Sequence, residues 1–147
     1  MRHNLILRVV SKFLIPLIFL FALYVQFHGD FGPGGGFQAG VIFSAALILY
    51  ALVFGIDSAK KVISPYILRV LASLGVLIYA GTGIASLLLG GNYLEYGVLA
   101  SSQVAGQHLG ILVIELGVGI TVMAVMLIMF FAFAERGRPE EDEEASK

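Results

Sequence analysis

The sequence predicts an all-α integral membrane protein of four transmembrane helices, with both termini cytoplasmic and a glycine-rich outer turn between helices 1 and 2. Three observations carry this expectation. Of the 147 residues 59% are hydrophobic and only 13% charged, with a mean hydropathy of +0.93, far from the balance of a soluble domain. Four apolar runs, near 9–27, 37–55, 66–89 and 107–134, are each long enough to supply the roughly 20 helical residues that cross a bilayer. Every lysine and arginine (Arg2, Arg8, Lys12, Lys60, Lys61, Arg69, Arg136, Arg138, Lys147) lies at the amino end, around the second connection or at the carboxyl end. The first and third connections hold none, so the positive-inside rule places them outside.

The first run follows Arg2 and Arg8 in the manner of a signal peptide. It exceeds the usual ~7–15 apolar residues and lacks a small-x-small cleavage site, so it reads as a retained helix. Pro16 is expected to give it a mild kink, and Lys12 to snorkel to the inner interface as an anchor.

Next comes FHGDFGPGGGFQAG at 27–40. A phosphate-binding loop needs a strand before the glycines and a helix with a Lys-Ser/Thr pair or a distal acid after them. That context is missing, and GTGIAS at 81–86 lies inside an apolar helix where no nucleotide reaches. The structural reading fits better: Pro33 blocks a helix, while Gly34, Gly35 and Gly36 can turn the chain sharply. The same glycines open a close-packing site for another subunit. Asp30 precedes the second helix, where free N–H groups and the dipole favour a negative charge; alternatively, His28 and Asp30 meet a cation at a pore mouth.

The second span carries Gly40 and Ser44 as a small-xxx-small pair, with Gln38 near its outer end. The third carries Ala72, Gly75, Tyr79, Thr82, Ser86 and Gly90 on one face, read as a packing surface. The fourth, GQHLGILVIELGVGITVMAVMLIMFFAF, contains Glu115, the one acidic residue expected inside a span. Asp or Lys at a helix centre costs ~2.5–3.5 kcal/mol on an insertion scale, and Glu is expected to be comparable. Burial disfavours its charged form, which suits a group that takes up and releases protons; a protonated carboxyl bonding a neighbouring helix is the structural alternative. At 100° per residue, His108, Glu115 and Gly119 share one face while Gly106, Gly110, Gly117 and Thr121 share the opposite one. Protein neighbours are therefore expected on both sides, which implies a larger assembly. His108 and Glu115 are separated by roughly 10 Å of helical rise, too far for a direct hydrogen bond.

Residues 1–134 thus form one four-helix unit, and 135–147 an acidic tail read as solvated and disordered. The chain has no cysteine, which excludes disulfides, thiolate metal sites and a cysteine nucleophile. His3, His28 and His108 are scattered, and no metal-ligand spacing, Ser-His-Asp order or paired catalytic carboxylates can be assembled. The expectation is no enzyme, no metal, no cofactor and no nucleic-acid partner.

PGGGFQAG at 33–40, directly after a first membrane helix, and GQHLGILVIELGVGITV at 106–122 closely resemble signatures of the B subunit of Mrp-type (Mnh-type) multisubunit sodium/proton antiporters. The resemblance covers about 5–134. The matching positions are Pro33, Gly34, Gly35, Gly36, Phe37, Gly40, Gln107, His108, Gly110, Glu115 and Gly117; where many relatives have His or His-Asn after the glycine, this chain has Asp30 and Phe31. The resemblance implies a small subunit of the prokaryotic cell membrane. It would work with other small membrane subunits and with large antiporter subunits related to the proton-pumping subunits of respiratory complex I, exchanging Na+ for H+. Within that setting Glu115, His108, Asp30 and His28 are the ion- or proton-transfer candidates. A membrane-arm subunit of a hydrogenase or related redox complex, or a purely architectural subunit, are the rival expectations.

Overall fold

The computed structural model describes residues 5–29 and 32–136. The chain forms α1 (Leu5–His28), α2 (Gly36–Phe54), α3 (Ile56–Val62), α4 (Pro65–Leu88) and α5 (Gln103–Arg136), with a 3₁₀ turn at Tyr96–Leu99 before α5. No strand occurs among the described residues. α1, α2, α4 and α5 are each long and apolar enough to cross a membrane.

Local chemistry sets the boundaries. α1 runs through Pro16 as one helix. Gly55, with φ 98°, separates α2 from α3. Ser64 Oγ accepts from Ile67 N–H at 3.3 Å and Pro65 occupies the first turn, a pairing that starts α4 because proline has no N–H to satisfy. Ser102 Oγ accepts from Ala105 N–H at 3.2 Å at the start of α5. In α3, which the sequence reading left inside the second connection, Asp57 sits in the first turn and Lys60 and Lys61 in the last, each complementing the dipole. α5 begins four residues before the expected start of the fourth span and continues through Glu135 and Arg136, the first two residues assigned to the acidic tail. Residues 137–147 lie outside the described residues.

α5 is the centre of a row. α4 packs on one side of it and α2 on the other, while α1 lies beyond α2 and touches α5 only slightly. The buried cluster is small: Ala51, Ala59, Leu68, Ala124, Leu127 and Phe131. It sits at the end that carries α3, called here the basic end because Lys60, Lys61, Arg69 and Arg136 gather there; the other is the turn end. Elsewhere the helices meet through small residues, since in lipid association rests on van der Waals contact between closely approaching backbones. A Cβ on Gly75 would lie 2.6 Å from the Gly117 carbonyl of α5, and one on Gly40 would lie 2.6 Å from that of Gly119.

Gly75, Thr82 and Ser86 of the third-span stripe are buried, as a packing surface requires. Hydroxyls inside the spans bond their own helix: Thr82 donates to Ile78 C=O and Thr121 to Gly117 C=O at 2.8 Å, and Ser86 to Thr82 C=O at 3.1 Å. These bonds remove the cost of a bare hydroxyl in an apolar setting. At the basic end, Lys60 pairs with Glu135 and ties α3 to α5. The Arg8 guanidinium lies 5.5 Å from the Phe54 ring centroid and ties α1 to α2.

Candidate functional site

A helical side chain leans towards the amino end of its own helix, so the carboxyl of Glu115 is directed to the turn end. There it meets the connection between α1 and α2. Hydrogen bonds from Gly32 N–H to His28 C=O and from Gly35 N–H to Val25 C=O, both 3.2 Å, fold this connection back over the last turn of α1. Gly35 has φ 104° and ψ −173°, a combination essentially confined to glycine that costs other residues about 1–3 kcal/mol. A Cβ on Gly35 would stand 2.6 Å from Glu115 Oε1, one on Gly29 would collide with the same carboxyl, and one on Gly36 would overlap the Glu115 carbonyl. These glycines let the connection lie directly on the carboxyl and backbone of one residue of α5.

The placement has an electrostatic consequence. α2 is capped by Gly35 without a side-chain hydrogen bond, and its first intrahelical acceptor is taken by Ala39 N–H, bonded to Gly35 C=O at 3.0 Å. The N–H groups of Gly36, Phe37 and Gln38 therefore have no intrahelical acceptor. The half-buried Glu115 carboxyl beside Gly35 stands at that positive end, where a negative charge is favoured. The sequence assigns this role to Asp30, which lies outside the described residues; among the described residues, the acidic side chain at the amino end of α2 is Glu115.

Residues 6–128 match the family model described as a domain related to the MnhB subunit of Na+/H+ antiporter. The chain belongs to the MnhB family. Among curated proteins it is similar to the putative antiporter subunit mnhB2 of Staphylococcus aureus strains Newman, NCTC 8325 / PS 47 and COL. Each is 34% identical over 131 residues, which cover 82% of this chain and 92% of the relative.

In this MnhB chain the expected site residues fall into separate groups. Glu115 meets Gly29, Gly35 and Gly36, while Gly34 faces the Val25 carbonyl. Gly40 receives the α5 backbone at Gly119, and Gly117 receives α4 at Gly75. Gly110 instead faces the third connection, with Tyr96 seated over it and the Gly97 carbonyl against Gly106. Pro33 and Phe37 are exposed. His28 is half-buried at the end of α1, its ring stacked on Tyr24 at 5.2 Å between centroids. His108 is exposed and does not share the Glu115 contact. The reason is a step: the α1–α2 connection lies level with Glu115, whereas α5 starts twelve residues earlier, about 18 Å further along its axis. His108 stands above the connection on that projecting part.

Two features escaped the sequence reading. Gln26 is buried in α1 beside Gly119; a lone amide in an apolar run was the signal for it. Tyr93 and Tyr96 fill the notches at Gly83 and Gly110, and no spacing rule links residues of a connection to glycines on two different helices.

Proposed function

We propose that this chain is a membrane subunit of a multisubunit sodium/proton antiporter of the cell membrane, and that Glu115 takes part in ion transfer there. The antiporter setting is supported by the family to which the chain belongs and by the name its relatives carry. Its partners are the other antiporter subunits, with Na+ and H+ as the transported ions. An orientation with both termini cytoplasmic and the glycine turn outside is supported by the collection of basic residues at one end of the row.

The observation that carries the role of Glu115 is its carboxyl, inside an apolar span, lodged against a side-chain-free backbone at the amino end of α2. A carboxyl held there has fixed dipoles to stabilise its charge, and Gly29 and Gly35 bring no side chain of their own against it. The architectural reading is favoured by a different observation, the fit of Gly36 on the α5 backbone, which binds the hairpin to α5 whatever the charge on Glu115.

Glu115→Gln in the intact complex separates the two, because the amide keeps shape and hydrogen bonding and does not titrate. Sodium-driven proton movement is measured in inverted vesicles across pH, with assembly followed on a native gel. Lost or pH-shifted antiport with normal assembly is the expected result. Normal antiport removes Glu115 from the transport cycle. Loss of both activity and assembly assigns the carboxyl to holding the complex together.

A further inference from the structure

α4 forms one edge of the row, packed on α5. Its free side carries a groove lined by Tyr66, Arg69, Val70, Ser73, Leu74 and Leu77, all six exposed. Their spacing places them on one face of the helix. The groove is polar where it meets the basic end and apolar beyond, since Ser73 Oγ is turned back to donate to Arg69 C=O at 3.0 Å. From Arg69 to Leu77 the rise is about 12 Å, within the roughly 15 Å that one leaflet contributes to a hydrocarbon core of ~30 Å.

The polar end offers donors and no acid. Arg69 has no ion-pair partner among the described residues, where Lys60 is the cation that pairs with Glu135. In the first turn of α4 there is no acidic residue, and the N–H of Ile67 is taken by Ser64 Oγ. Proline brings no N–H of its own, so the Tyr66 N–H is the one left without an acceptor in that turn. The Tyr66 phenol is three residues from Arg69, a spacing that makes the two side chains neighbours. α3 matches its dipole with Asp57 in its first turn and Lys60 and Lys61 in its last. Arg69 does the reverse, placing a cation in the opening turns of a helix, where an anion is favoured.

We propose that this groove binds an anionic phospholipid, with the phosphate on Arg69 and Tyr66 and an acyl chain along Val70, Leu74 and Leu77. Phosphate oxygens are acceptors and meet the donors of the polar end in kind. The ammonium of a zwitterionic headgroup finds no carboxylate in the groove lining. An acidic peptide, whether the run at 140–144 of this chain or a loop of another subunit, supplies carboxylates but nothing to cover the apolar length. The site goes beyond the antiporter reading and does not depend on Glu115: it makes the free edge of α4 at the basic end a lipid-facing border of the complex.

The intact complex is reconstituted in bilayers of phosphatidylglycerol and phosphatidylcholine in equal parts, with a diazirine amino acid encoded in place of Leu77. After irradiation, the mass of this chain reports which lipid it has captured. Phosphatidylglycerol adducts are expected to exceed those of phosphatidylcholine about fivefold, the ratio given by about 1 kcal/mol for one arginine at an anionic surface. Arg69→Gln should bring the two lipids to parity. Lys61→Gln removes the same charge from the same end outside the groove and should leave the preference intact. The probe at Leu74 is the second reporter should position 77 not tolerate it. Parity with Arg69 in place overturns the proposal. So do equal losses in both variants, which would assign the preference to a general surface field, and a cross-link to another protein chain, which would put a subunit in the groove.

Discussion

Gly36 touches a peptide unit of α5 rather than a side chain, and this makes it the least replaceable of the glycines at the turn. A Cβ there overlaps the Glu115 carbonyl, which cannot rotate away. Gly36→Ala is expected to force the hairpin off α5 at a cost of about 1–3 kcal/mol, the usual range for overpacking. The readout is a lower Tm of the solubilised complex and less assembled material on a native gel. Gly81 provides the contrast, since a Cβ at that position of α4 meets nothing within 4 Å. Gly81→Ala is expected to raise stability by about 0.5–1 kcal/mol, the gain of alanine over glycine in a helix interior. Equal effects from the two substitutions would sink the explanation by backbone contact.

Between α4 and α5 the third connection behaves as a clasp. Asn92 donates to Glu95 Oε2 from its backbone N–H at 2.7 Å and from its side chain at 2.9 Å. Leu94 is held at φ 63°, and Tyr93 and Tyr96 plug into Gly83 and Gly110. Burial first, and then the neighbouring Tyr79 and Tyr93, raise the Tyr96 pKa above the usual tyrosine value of 10.0. Below that value the folded and unfolded chains both keep the phenol proton. Above it the unfolded chain releases its proton first, so stability falls as pH rises from about 10 through the raised folded pKa. Limited proteolysis of the connection is expected to accelerate over that alkaline window. Tyr96→Phe, which keeps the ring in its notch and has nothing to ionise, should flatten the dependence; an unchanged profile would assign it to another group.

At the scale of the whole molecule, the row of helices leaves most of its large apolar side chains outward, among them Phe13 at 74% and Leu20 at 65% exposure. Lipid and neighbouring subunits are the natural cover for such surfaces. Stability then rests on small-residue seams and little on surface charge. Lys60 and Glu135 join α3 to the end of α5, but their side chains remain 27% and 51% exposed. Screening by solvent limits such a pair, and Lys60→Ala is expected to change stability by under about 1 kcal/mol. A larger loss in thermal unfolding of the complex would show that the pair acts as part of a wider network at the basic end.

The sequence by itself determined that the chain is built from four apolar helices, because hydrophobic length is a one-dimensional property that the bilayer reads directly. It also exposed Glu115 by charge in an apolar run, and marked Gly40, Gly110 and Gly117 as places of close approach. Which neighbour each would meet was open. Tertiary structure decided that Gly117 takes α4 while Gly110 takes Tyr96. It also decided that Glu115 of α5 reaches the amino end of α2. The vertical offset of helices was likewise invisible in sequence: the packing of Gly36 on Glu115 and of Gly40 on Gly119 fixes how far α5 projects beyond the hairpin, and so why His108 and Glu115 share a helix face at different heights. Periodicity specifies the direction of a side chain around its own axis, whereas the height at which two helices meet is set by which small residues let their backbones touch.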